Sequence, residues 1–227
     1  MNAPAGFWRR YAAYSADLAL LMLLWLPLAW PSLLRANAQL RSDLLVVQQR
    51  VLDLMEVALR SLQSPFTLLG QWSQDALLRS SLESLLANLT LATLQLAALL
   101  VGLAAAYFIA FEASPWQASP GKRGMGLCVL SATGTRPTLP QLVLRFASGG
   151  LSWLTLNLGH ALAAWTPNKT ALHDWLSGTR VQRDGARRWP TWAVLWLVLQ
   201  ALCAIALLLW LGWRYWLALQ LITGVVA

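Results

Sequence analysis

An all-α membrane protein with three to four transmembrane helices is the fold class this sequence predicts, and three observations predict it. Of 227 residues, 58% are hydrophobic and only 11% are charged, against about 25% charged in ordinary soluble domains. A soluble core of this length cannot hide so much apolar surface behind so few charges, and a chain this apolar does not stay disordered. The apolar residues are gathered into long uncharged runs, and the 14 tryptophans suit a protein with two membrane–water interfaces. The expected architecture adds a periplasmic helical hairpin and a short cytoplasmic β-hairpin-like turn, and one of the helices either spans or re-enters.

A spanning helix needs about 20 apolar residues. Four runs qualify: 18–34, 84–111, 146–168 and 189–213. The run after Arg214 is too short to span alone. The first run has Arg9 and Arg10 before it and Ala36-Asn37-Ala38 behind it, which imitates a cleavable signal. Asp17 and the stretch of Trp25, Pro27, Trp30 and Pro31 fit that reading poorly, so a retained helix is expected. In the fourth run, Trp192 and Trp213 stand about 31 Å apart along a helix axis, close to the hydrocarbon thickness.

Charge sets the expected orientation. The net charge is +8. Its basic residues sit in short segments beside apolar runs, which points to topology and anionic lipid head groups rather than nucleic acid. The N-terminal segment, the segment 112–145 and the segment 169–188 are all basic, whereas 35–83 carries five arginines against five acids. The positive-inside rule therefore places the N-terminus in the cytoplasm of a multi-pass protein of the bacterial inner membrane. It also creates a conflict, because run 146–168 lies between two basic segments. If it spans, one of them is outside; if it breaks at Gly149, Gly150 or Gly159 and re-enters, both stay inside.

Between the first two runs, Leu40, Leu44, Val47, Val51, Leu54 and Ala58 recur at alternating spacings of four and three, a heptad-like stripe. The turn signal Ser64-Pro65, with Gly70 beyond it, precedes a second amphipathic stretch at 74–89. Residues 35–88 are read as a helical hairpin whose arms pack on each other or dock a membrane-complex partner or a second copy. At the other end of the second run, Pro115, Pro120, Gly121, Gly124 and Gly126 predict a helix stop and tight turn carrying the basic pair Lys122 and Arg123. Residues 129–131 and 133–135 could pair as a short hairpin.

Ionisable residues in spanning helices are costly and usually have a partner or a function. Asp17 is the main one, roughly 13 Å along the helix from Trp8. Arg10, Tyr14 and Asp17 share a face, but Arg10 and Asp17 are about 10.5 Å apart axially, so each is expected to meet another segment. Asp17 is either a buried packing carboxylate or part of an ion path, with Tyr14, Asn157 and His160 as candidate path-lining residues. Glu112, Lys122, Arg145 and Asp174 complete a set of charges that can pair on the cytoplasmic side, and Arg10 with Asp174 is the pair singled out. Two histidines and two distant cysteines, Cys128 and Cys203, support neither a metal site nor a disulfide framework. With no recognisable catalytic constellation, neither an enzyme nor a cofactor is expected.

These residues resemble the signatures of the RDD family of membrane proteins. Arg10 and Asp17, within Gly6-Phe7-Trp8-Arg9-Arg10-Tyr11, look like the family's arginine and first aspartate. Asp174, within Leu172-His173-Asp174-Trp175, looks like its second. Pro115-Trp116-Gln117-Ala118-Ser119-Pro120-Gly121-Lys122-Arg123-Gly124 is similar to its middle signature. The resemblance covers residues 6–181, within an expected membrane domain 1–181 that carries the 35–88 hairpin as an insertion. Residues 182–227 add a basic linker and a further helix. The resemblance implies a membrane domain without known catalysis. It allows cation/proton exchange, or alternatively a non-transporting subunit or assembly factor of a membrane complex.

Overall fold

The computed structural model describes residues 4–61, 65–154, 158–166, 169–183 and 188–223. It contains α1 (Phe7–Ser61), α2 (Pro65–Gln74), α3 (Ala76–Ala113), α4 (Pro120–Gly124), β1 (Leu127–Ser131), α5 (Leu139–Leu154), α6 (Leu158–Trp165), α7 (Leu172–Ser177), β2 (Thr179–Arg183) and α8 (Thr191–Thr223). The protein is an all-α membrane protein with one small antiparallel sheet. Among the described residues, three helices are long and apolar enough to cross a bilayer: α1, α3 and α8. Their apolar side chains face outward, as lipid requires, with Leu23 71%, Leu86 62% and Leu208 68% exposed. In α8, Arg214 does not end the helix; its guanidinium lies 5.9 Å from the Trp210 ring, and the run beyond it continues the same element.

The chain divides into two compact units, residues 21–104 and the remainder. In the first, α1 keeps its helix through Pro27 and Pro31, each of which removes one backbone donor. Its heptad-like stripe is half-buried at Leu40, Val47, Val51 and Leu54 and buried at Ala58, while Leu44 is exposed. Two polar ties join its helices. Arg50 forks onto Asp75 at 3.0 and 2.6 Å, and Asn88 Nδ2 donates to Asp43 Oδ2 at 2.9 Å. Gly70, expected in a turn, lies inside α2: Pro65 occupies the helix start, where its missing N–H costs nothing, and the helix runs through the glycine. Residues 62–64, which include Ser64 of that turn signal, lie outside the described residues.

The second unit is built on the sheet. β1 pairs antiparallel with β2, Leu127 opposite Arg183, Val129 opposite Val181 and Ser131 opposite Thr179. The expected partner, 133–135, instead closes a turn. Gly134 N–H donates to Ser131 O and Ser131 N–H to Thr135 O, both at 2.9 Å, with Gly134 at φ +88°. Three residues bent back onto Ser131 cannot supply a ladder, whereas β2 offers five in register and buries Val181 and Thr179. Ala5 N–H donates to Val181 O at 3.2 Å, which binds the chain's start to the same sheet. Ala5, Ala12, Ala13, Met125, Leu127, Val129, Val181 and Ala193 form one apolar core, so the starts of α1 and α8 both pack on the sheet.

This sheet resolves the topological conflict. Strands paired backbone to backbone lie on the same side of any bilayer, because open ladders do not cross hydrocarbon. β1 precedes run 146–168 and β2 follows it, so the run leaves and returns on one side. Its described parts belong to α5 and α6. Gly159 permits the return: a Cβ there would lie 2.3 Å from Ser152 Oγ and 3.2 Å from Leu172 Cβ.

The Arg50–Asp75 tie makes a pH prediction. Hydrogen bonds from Arg50 and from the Leu78 amide pull the Asp75 carboxyl down to about 2 from an ordinary 3.8. A depressed carboxylate pKa contributes stability in full above the unfolded value and loses it as pH falls through the folded one. Hydrogen-exchange protection of the Leu78 amide, which Asp75 Oδ1 accepts at 2.7 Å, should therefore hold at about pH 5 and fade towards about pH 2. Asp75→Ala should remove it at both.

Candidate functional site

Five charged side chains of the second unit form one buried chain. Arg10 Nη1, from the first turns of α1, lies 2.6 Å from Asp174 Oδ2 on α7. Arg145 of α5 takes the other Asp174 oxygen through Nη1 and reaches Glu112 Oε2 of α3 through Nε at 3.3 Å. Lys122 of α4 closes on Glu112 Oε1. Three cations thus neutralise two carboxylates across five helices, and Asp174 and Glu112 are almost wholly withdrawn from solvent. Further hydrogen bonds tie the chain to its surroundings. Arg10 Nη2 donates to Lys169 O, and Arg145 Nη1 also donates to Thr179 Oγ1 at 2.8 Å.

Local structure aims these groups. Asp174 Oδ2 accepts the Ala171 amide at 2.9 Å, so the same carboxylate starts α7 and ends the ion chain. Gly178 follows α7 at φ +61° and turns the backbone directly into β2, a conformation that glycine adopts without strain. Burial works to raise the Asp174 pKa, but Arg145 and Arg10 outweigh it and hold the carboxyl well below the usual carboxylate range. Burial likewise works against the Arg145 charge, and Asp174 and Glu112 outweigh it. His173 Nε2 stands 3.5 Å from Asp174 Oδ1.

Asp17 belongs to a separate lock. It is fully buried and accepts three hydrogen bonds from neutral groups: Tyr107 Oη at 2.8 Å, the Gly121 amide at 2.7 Å, and the Ser119 hydroxyl. The carboxylate thereby clamps α1 to α3 and to the turn that opens α4. Pro120 and Gly121 make this approach feasible. Proline suits the first helical position, and a Cβ at Gly121 would lie 2.3 Å from Ala13 O and 2.8 Å from Asp17 Cγ.

The structure therefore joins Arg10, Glu112, Lys122 and Asp174 through Arg145 and sets Asp17 apart from them. Tyr14 stacks on Phe108 at 6.5 Å. Lys122, expected both in the basic turn with Arg123 and among the pairing charges, meets Glu112 and lies 5.5 Å from the Phe108 ring. Arg123 lies over Trp116 at 6.0 Å. Asn157 lies outside the described residues; His160 belongs to α6, and its side chain lies outside them too. Sequence reasoning missed Tyr107, Ser119 and Gly121 as the partners of Asp17. The signal for two of them was present in Ser119-Pro120-Gly121, where a hydroxyl precedes a helix-starting proline and a glycine.

The decisive comparison is with protein families. The RDD family model matches residues 4–178, most of the chain, including Arg10, Asp17, the α4 turn and Asp174. The chain belongs to the RDD family. No curated protein and no solved structure matches it. In this RDD domain the arginine and the second aspartate are a direct ion pair, and the first aspartate binds the middle signature.

Two mutational outcomes follow. Removing one member of a buried pair costs about 3–5 kcal/mol. Arg10→Ala and Asp174→Ala should each lower the unfolding midpoint in detergent strongly, and the double variant should fall well short of their sum. Gly121→Ala should prevent stable folding. Gly102→Ala, where the added Cβ meets nothing within 4 Å, should leave the midpoint unchanged.

Proposed function

We propose that this RDD-family protein is a non-catalytic inner-membrane subunit or assembly factor, a scaffold that holds its basic cytoplasmic face in one fixed geometry. One observation carries the reading. The acid buried in the first membrane helix, Asp17, is already satisfied by three neutral donors. A carboxylate that loads and unloads ions must exchange partners. Here a backbone amide and two hydroxyls, pressed close by Gly121, favour one permanent state. The five-membered ion chain supports the same reading, since each carboxylate is shared between two cations and released by neither. The positive-inside bias supports placing the N-terminus, the sheet and the start of α8 in the cytoplasm, which puts the 35–88 hairpin in the periplasm as the docking element.

Cation/proton exchange is the second reading. It is favoured by the presence of Asp17 and Glu112 within candidate spans and by the hydroxyls of Tyr107 and Ser119 flanking Asp17 as proton-bearing groups. Proton-coupled cation flux in proteoliposomes separates the two. The scaffold reading expects purified protein to match empty liposomes across several cations and both directions of pH gradient. It also expects Asp17→Asn to alter thermal stability alone. Flux that is abolished in a folded Asp17→Asn variant would establish the exchanger instead.

A further inference from the structure

Past its membrane-crossing part, α1 carries two apolar stripes, and the chain turns only one of them inward. Leu40, Val47, Val51, Leu54 and Ala58 are half-buried or buried within the hairpin. Leu45, Leu52, Met55 and Leu59 are between 45% and 76% exposed. These four and Gln48, which is exposed as well, fall within an arc of about 80° on the helix surface. Leu45, Leu52 and Leu59 recur every seven residues, and Gln48 and Met55 each follow three residues on. That is the a and d pattern of a two-stranded coiled coil. Lipid does not cover this stripe. Arg35, Arg41 and Asp43 follow the apolar run 18–34, and Leu45 lies about 15 Å along the helix beyond Arg35. A continuous apolar face in water marks a protein interface.

We propose that the stripe pairs with the same stripe of a second copy, joining two hairpins through a parallel pair of α1 arms. This rests on the docking role given to the hairpin above and names its partner. Three features select a second copy. Copies inserted in one membrane share an orientation, so a two-fold axis along the membrane normal sets the two arms parallel and in register, each leucine against its own counterpart. Gln48 is the polar member of the stripe; its amide both donates and accepts, so it can bond its counterpart across the axis and fix the register. Charge permits the approach. The chain as a whole is +8, but residues 35–83 carry five arginines against five acids, so two hairpins do not repel. Glu56, at the edge of the stripe, is already paired with Arg60 of its own helix. Arg41, on the same face nearer the membrane, ends the stripe. The four apolar side chains offer on the order of 500 Å² per copy, at the lower edge of what a specific interface needs. Confinement to one membrane raises the effective concentration of the copies, and two heptads then suffice.

Cysteine cross-linking of the full chain in proteoliposomes tests it, on a background carrying Cys128→Ser and Cys203→Ser. Under mild oxidation, Leu45→Cys, Leu52→Cys and Leu59→Cys should each give disulfide-linked dimer, because facing a positions bring the two Cα atoms within disulfide range. Val46→Cys and Val57→Cys, exposed on the other side of the same helix, should give about tenfold less. Leu52→Glu combined with Leu59→Glu should lower the dimer fraction about tenfold in single-molecule photobleaching, since a charge in the seam loses its water. Both leucines are exposed in the single chain, so the unfolding midpoint in detergent should not move. Linking confined to the stripe and lost in the glutamate variant supports the second copy. Equal linking at Val46 and Leu52, or single photobleaching steps in the unsubstituted protein, would overturn it. Neither readout involves ion flux: a failure here leaves the scaffold reading standing, and flux would sink that reading without touching this one.

Discussion

Asp174 is held between two guanidinium groups, and the second unit depends on that arrangement. Withdrawing a carboxylate from water is costly, and the cost is met only when its attraction to opposite charges is strong and every oxygen is satisfied. Arg10 and Arg145 take one oxygen each, and the Ala171 amide takes Oδ2 as well. The three donors come from α1, α5 and the start of α7. One carboxylate therefore ties the beginning of the first membrane helix, α5 and the start of α7 to one another. Arg145 extends the constraint to Glu112 at the end of α3, and through it to Lys122.

Asp17 operates by different physics. Its partners are neutral, so no charge is neutralised; hydrogen-bond donors aimed at the carboxylate replace the water it has lost. That requires backbone to approach within contact distance of a helix, and Gly121 is the residue that allows it. The two aspartates thus divide the work. Asp174 joins elements by charge, and Asp17 joins them by close approach. A protein whose long helices face lipid has little hydrophobic driving force between those helices. Polar locks of this kind carry correspondingly more of the specificity.

The sheet adds a topological constraint out of proportion to its size. Five residue pairs tie the segments before and after α5 and α6 together. The start of the chain is tied to the same strand, and Ala193 brings in the start of α8. The basic segments therefore gather on one face.

Much of the architecture was legible from composition and spacing alone. Three of the four long uncharged runs are helices long and apolar enough to cross a bilayer, because backbone in hydrocarbon must satisfy itself. The axial separation of Arg10 and Asp17 likewise argued against a direct bridge between them and pointed each to another segment. The heptad-like stripe read correctly as helix, with Leu44 the position that turned outward. Tertiary structure decided the rest. Residues 129–131 are a strand in either case, but only the fold could choose between a near partner, 133–135, and a distant one, 179–183. Pairing depends on which segment is delivered in register, and local propensity does not encode that. The fate of run 146–168 followed from that choice, since hydropathy measures apolar length and is silent on which side the chain returns to. Arg145 was legible as one member of a set of charges able to pair, without its partners. Its place between Asp174 and Glu112 exists only where α3, α5 and α7 meet.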